Sequence, residues 1–282
     1  MTRLLFARRA CAAFISLLPL AAAAQTTAPR SENEAVAESI NHVFSTELGS
    51  GVYDLGGRTL QVYRLTWNKS LRDADEDTIG IRLTLPATLG FFDFKPIDVL
   101  EEGPPERIDS FSVMPGIELD FSVRDDWHVI PYGRAGFSLA SSSVEGWLYA
   151  AGVRADRRSN LRGWDTLVRS EFAYAGVKYR DDTPNDNFVR LRQAIDFTRG
   201  VGWSARGHEV ELGLYGILDV IVDPPTVPVA DGDREPVQIE AGFTLASRPR
   251  VKIWKFDAPR LGFGYRYAGN ISGWRFVLGV PF

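Results

Sequence analysis

From residue 50 to residue 282, apolar and polar side chains take turns along the chain. Ile79, Ile81, Leu83 and Leu85 alternate with Gly80, Arg82 and Thr84, and Ile117, Leu119 and Phe121 with Glu118, Asp120 and Ser122. Val189, Leu191, Ile195 and Phe197 alternate with Arg190, Arg192 and Asp196. Val237 to Leu245 and Leu261 to Tyr267 repeat the pattern. Successive side chains of an extended strand point to opposite faces, so a period of two gives each segment one apolar and one polar face. Two all-β architectures can bury or cover such strands. A soluble sandwich turns the apolar faces inward. A membrane barrel turns them outward to lipid.

Strand length favours the barrel. The segments 107–123, 163–179, 188–204 and 208–222 exceed the roughly 9–11 residues a strand needs to cross a bilayer. Sandwich strands usually run to about 5–6 residues. Trp67, Trp127, Trp147, Trp164, Trp203 and Trp274 recur near predicted strand ends, as an interfacial girdle requires. Composition closes other routes. A hydrophobic fraction of 45% excludes wholesale disorder, and 24% charged residues exclude a helical membrane bundle. A net charge of −4, with basic residues dispersed among acids, gives no basic patch for nucleic acid.

Residues 1–24 read as a secretory signal peptide. Arg3, Arg8 and Arg9 precede an apolar core from Ala10 to Leu20, and Ala22-Ala23-Ala24 completes an A-x-A cleavage pattern. Cys11, the sole cysteine, lies inside this segment, so cleavage after Ala24 removes thiol, disulfide and cysteine-metal chemistry. No later stretch reaches the roughly 18 apolar residues of a membrane helix. Residues 25–49 form a polar linker and an amphipathic helix, with Val36, Ile40, Val43 and Phe44 at helical spacing from 35 to 48. That helix packs either at the periplasmic end or inside the barrel as a plug. Residues 50–282 form the barrel.

The chain ends Trp274-Arg275-Phe276-Val277-Leu278-Gly279-Val280-Pro281-Phe282. Trp274, Phe276, Leu278, Val280 and Phe282 share one parity and lead to a terminal aromatic. This resembles the C-terminal signature of bacterial outer-membrane β-barrels, and implies that the barrel-assembly machinery reads these residues. The stretch Met114-Pro115-Gly116-Ile117-Glu118-Leu119-Asp120, followed by Trp127-His128-Val129-Ile130-Pro131-Tyr132-Gly133, is similar to a hairpin of the solitary autotransporter-like β-barrel family. The resemblance spans about residues 50–282. It implies a bacterial outer-membrane barrel, exported through the Sec signal peptide, and supplies no catalytic residues.

The expected fold is a transmembrane antiparallel up-and-down barrel of about 12 strands, with 10 as the alternative. The predicted strands are 58–67, 77–86, 90–100, 107–123, 127–140, 143–155, 163–179, 188–204, 208–222, 236–247, 259–268 and 271–282. The third contains Pro96, a weak strand residue. With Phe282 at the periplasmic end, the connections 68–76, 101–106, 180–187 and 223–235 face outward. They carry Asp73, Asp75, Glu76, Asp77, Glu101, Glu102, Glu106, Asp181, Asp182, Asp186, Asp231 and Asp233. Arg157, Arg158, Arg162, Arg248, Arg250 and Lys252 fall on the periplasmic side. Partners are then outer-membrane lipid and lipopolysaccharide. The acidic loops either meet lipopolysaccharide through divalent cations or are solvated surface loops.

By parity the lumen receives Arg64, Arg82, Arg134, Arg169, Arg190, Arg192, Arg260, Arg266 and Arg275, against Glu118, Asp120, Asp165, Glu171, Asp196, Glu209, Glu211 and Glu240. A selective pore would carry an excess of one sign. Near balance suits ion pairs that brace the wall, and arginine's fork suits carboxylates. No metal, cofactor or catalytic residue is expected. His42, His128 and His208 lie far apart in sequence, and no nucleophile or metal-ligand motif accompanies them. The expected function is a non-enzymatic outer-membrane barrel without a passenger, structural or transport in role. A small diffusion pore is the alternative, with a lipid hydrolase as a third class.

Overall fold

The computed structural model of the chain describes residues 48–55, 58–92, 110–140, 146–180, 185–205, 207–224, 235–250, 252–253, 256–257, 259–269 and 271–282. Its strands are β1 (Gly51–Leu55), β2 (Arg58–Arg72), β3 (Gly80–Phe92), β4 (Ser110–Val113), β5 (Gly116–Arg124), β6 (Trp127–Ala140), β7 (Gly146–Leu161), β8 (Trp164–Tyr179), β9 (Asp186–Ala205), β10 (His208–Val222), β11 (Val237–Arg248), β12 (Lys252–Ile253), β13 (Phe256–Asp257), β14 (Leu261–Ala268) and β15 (Ile271–Leu278).

Every pairing between successive strands is antiparallel. β15 pairs with β1, and β2 pairs with β3, so the sheet returns on itself and closes. Closure removes both sheet edges, as a strand structure in lipid requires. β4 and β5 are two halves of one stave, interrupted at Met114-Pro115, and both pair with β3 and β6. Two backbone bonds bridge the break: Met114 N–H donates to Pro86 O at 3.0 Å, and Ala135 N–H to Pro115 O at 3.1 Å. The short β12–β13 hairpin stands apart from the sheet. The described barrel therefore has 12 staves.

The strand number matches expectation, but two strand assignments do not. Of the expected strand 90–100, the described residues 90–92 belong to β3, which runs unbroken through to Phe92, and residues 93–100 lie outside the described residues. The missing stave is β1, a five-residue strand whose short GVYDL sequence is too brief for a periodicity signal. This exchange moves one connection. β2 runs toward the end where β15 finishes, so residues 73–79 join β2 to β3 at the same end as Phe282. The acidic group Asp73, Asp75, Glu76 and Asp77 is on that end and not on the opposite one. The acidic segments 101–106, 181–182 and 231–233 lie outside the described residues. We call the end holding Phe282 the turn end and the other the loop end.

The faces settle how the alternation is used. Leu214, Leu218, Ile239, Phe243, Leu245, Phe263 and Tyr265 are exposed on the outer wall. Glu118, Arg190, Asp196, Asp219, Glu240 and Arg266 on the opposite parity are buried, the last at 2% exposure. A soluble sandwich would show the reverse. Aromatic residues mark both ends of the apolar band. Trp67 and Trp203 lie toward the turn end; Trp147, Tyr174 and Tyr267 lie toward the loop end. Trp127 and Trp164, at strand starts on the turn end, are half-buried.

Candidate functional site

The enclosed side of the barrel holds two layers. Toward the turn end the wall is lined by arginines and carboxylates on the inward parity of β3, β5 to β11, β14 and β15. Glu118 on β5 is one hub. Arg154 on β7 grips it with both terminal nitrogens, at 3.1 and 2.7 Å, and Arg82 and Arg134 each approach at 3.3 Å. Arg154 also lies 3.8 Å from Asp156, which Arg169 holds in a fork at 2.6 and 2.6 Å. Glu171 accepts from Arg190 at 3.0 Å and from the Tyr132 hydroxyl.

Across the lumen Glu240 is the second hub. It accepts from Arg266 at 3.0 Å, Arg275 at 2.8 Å and the Tyr215 hydroxyl at 2.9 Å. Arg192 forks onto Asp219 at 2.6 and 2.8 Å, and Arg260 onto Asp196 at 2.6 and 2.9 Å. At the turn-end rim, Arg248 joins Asp165 at 2.7 Å and also meets Glu211, which Arg250 reaches at 3.3 Å. The forks match the planar geometry of the two groups. Each charge here faces an opposite one, so the layer is a brace and not a field of one sign.

Toward the loop end the inward parity turns apolar. Tyr53, Leu55, Leu60, Val62, Leu148, Val177, Phe188, Ile221 and Ile271 form one buried cluster, each at 3% exposure or less. Leu48 belongs to the same cluster at 1% exposure. Its carbonyl accepts from the Tyr53 hydroxyl at 2.7 Å. Gly49, at φ +83°, turns the chain off the wall between Leu48 and β1. A side chain there would meet the Arg275 guanidinium. Leu48 is the one described helical residue of the expected helix; residues 35–47 lie outside the described residues.

Most parity-assigned residues line the charged layer: Arg82, Glu118, Arg134, Arg169, Glu171, Arg190, Arg192, Asp196, Glu211, Arg266 and Arg275. Asp120 also faces inward, paired with His128 at 2.8 Å. Glu209 does not. A bulge between Glu209 and Glu211 breaks the alternation, and Glu209 is exposed at the rim, accepting from Gly202 N–H at 3.4 Å. Asp165 is a rim residue, its side chain 54% exposed. Parity reasoning passed over Arg154, Asp156 and Asp219. All three sit on the inward parity of β7 and β10, which is the signal that finds them.

The C-terminal residues divide. Trp274, Phe276, Leu278 and Val280 are exposed on the outer wall. Phe282 is not. Gly279 adopts φ +92° and ends the alternation, and the tail turns inward. Arg275 donates to Pro281 O, Phe282 packs on Ala194, Tyr215, Ile217 and Val277, and the Arg169 guanidinium lies 5.2 Å from its ring centre. In the 73–79 connection, the Asp77 N–H, at 2.9 Å, and the Thr78 hydroxyl hold the Asp75 carboxyl below its ordinary range.

The two described histidines have different partners. His128 begins β6 and pairs with Asp120; His208 begins β10 and meets Pro249 O at 2.8 Å. Ser122 stands across the sheet from His128, but its hydroxyl donates to Arg124 O at 3.3 Å. Among the described residues, no group of three or more His, Cys, Asp or Glu side chains is placed to hold a metal ion.

No protein-family model matches the chain, and no curated protein matches it significantly. Solved structures do. The crystal structure of the beta domain of the Bordetella autotransporter BrkA aligns with a TM-score of 0.50 at 12% identity, over 80% of this chain and 93% of that one. At that identity the likeness is one of fold: the chain has the architecture of an autotransporter beta domain.

Proposed function

We propose that this chain is a bacterial outer-membrane barrel of the autotransporter type that works without a passenger. It serves the envelope as a closed, non-enzymatic structural element. One observation carries the closed state: the inward side chains of the loop-end half form a buried apolar cluster that includes Leu48. A diffusion pore needs a continuous polar path, and a layer of side chains at 3% exposure or less interrupts it. The paired charges beneath brace the wall, and their balance gives no selectivity field.

The apolar outer wall and its aromatic ends support a membrane setting. The leader at 1–24 supports export through the Sec route. Trp274, Phe276 and Leu278, outward on the last strand, and the exposed Val280 just beyond it are the residues we assign to recognition by the barrel-assembly machinery. A catalytic role finds no support in a Ser122 hydroxyl that turns to a backbone carbonyl and away from His128.

Planar-bilayer recording tests the closed state. The mature chain should show little steady conductance. Deleting residues 25–48, or changing Leu48→Asp, should raise single-channel conductance severalfold. A steady, ion-conducting wild-type barrel, unaffected by either change, would instead establish the diffusion pore.

A further inference from the structure

The outer wall carries a depression where β4 and β5 part. Its floor is Val113, Pro115 and Ala135; Leu85, Phe137 and Tyr149 rise around it, and its volume is about 520 Å³. It exists because Met114-Pro115 interrupts the stave and because Ala135 is small between larger neighbours. A second hollow of about 170 Å³ continues it toward the loop end, shares Phe137 and Trp147 with it, and reaches Arg180. Lys178 lies directly across the sheet from Trp147 on the same outer face, and both are exposed.

A dent in a lipid-facing wall is not emptied of water by the hydrophobic effect, because acyl chains are as apolar as the wall. It fills with whichever chain packs in it. Selection among lipids then falls to the headgroup, and two cations stand at the head of this groove. Cationic side chains at a membrane surface attract anionic headgroups. Trp147 sits between the apolar and charged parts, at the depth where an indole prefers the interface.

We infer that this groove is a lipid site that takes one acyl chain of a phosphorylated glucosamine lipid, the lipid A of lipopolysaccharide, with a phosphate against Lys178 and Arg180. The inference rests on the outer-membrane reading above, since the loop end meets that leaflet only there. The two adjoining apolar hollows with cations at one end fit an amphiphile with its phosphate next to the chain.

The test is native mass spectrometry of the full mature barrel in detergent micelles, titrated with bisphosphorylated lipid A, dephosphorylated lipid A and phosphatidylglycerol. Bisphosphorylated lipid A should bind at least tenfold more tightly than either other lipid. Lys178→Gln with Arg180→Gln should abolish that preference, and Ala135→Trp, which fills the groove, should weaken the binding of lipid A with or without phosphate. Val113→Phe provides a second groove-filling variant, and each variant's heat-modifiable gel shift establishes that it has folded. Equal binding of phosphatidylglycerol would replace lipid A with a glycerophospholipid and overturn the assignment. Folded variants that all bind like the wild type would remove the site. Binding in micelles is read independently of cell fractionation, so a barrel found outside the outer membrane would overturn the setting and not this measurement.

Discussion

Glu118 shows most plainly what one inward residue does. It is 3% exposed and meets three arginines, so its charge is what allows Arg82, Arg134 and Arg154 to share one patch of wall. Removing one partner of a buried ion pair leaves uncompensated charge and costs about 3–5 kcal/mol. Glu118→Gln should therefore lower unfolding stability by about that amount, measured by urea titration of the refolded barrel. Glu209→Gln at the exposed rim should change it by less than about 0.5 kcal/mol. Equal effects would show that the hub does not brace the wall. These charges were legible from parity alone wherever the strand was regular. Asp219 was missed because it interrupts an apolar stretch, Tyr215 to Val222, whose inward members are Tyr215, Ile217 and Ile221. Arg154 was missed beside the polar run that follows it. Glu209 and Phe282 were misplaced for a different reason: a bulge and a left-handed glycine each break the two-residue period, and neither leaves a signature in the side-chain pattern.

At the scale of the strand, length and alternation found eleven of the twelve staves and missed the first. β1 is only five residues, and its neighbour β2 is 15 residues long, so the pattern of β2 dominates that part of the chain. The error carried 73–79 to the wrong end of the barrel, because each miscounted strand reverses the sense of every strand before it. The end of β15 is a sharper case. Gly279 at φ +92° allows the tail to leave the wall and bring Phe282 under Arg169. A non-glycine residue in that region is strained by about 1–3 kcal/mol. Gly279→Val should straighten the tail, release Phe282 from Ala194, Tyr215, Ile217 and Val277, and lower the temperature of the heat-modifiable transition. Phe282→Leu in the same assay should give a smaller loss, since it keeps apolar packing and removes the ring beneath Arg169. An unchanged transition in Gly279→Val would show that the inward turn contributes nothing.

At the scale of the whole barrel, the sequence told inside from outside but not near from far along the axis. Strand tilt and register decide which inward residues share a level, and these emerge only once all pairings are known. That is why the charged layer and the apolar layer above it were read together as one polar lumen. It is also why Leu48 could be expected in a helix without its depth being known. The central claim remains the one about faces: apolar side chains touch acyl chains, and charged ones close on each other within. Spin labels placed one at a time at Leu214, Tyr215, Gly216, Ile217 and Leu218 in a Cys11→Ser chain, reconstituted in phospholipid vesicles, test it most directly. Oxygen, which partitions into lipid, should relax the labels at Leu214, Gly216 and Leu218 strongly and those at Tyr215 and Ile217 weakly, a period of two along β10. Strong relaxation of the first set by a water-soluble nickel chelate, with no response to oxygen, would contradict the account.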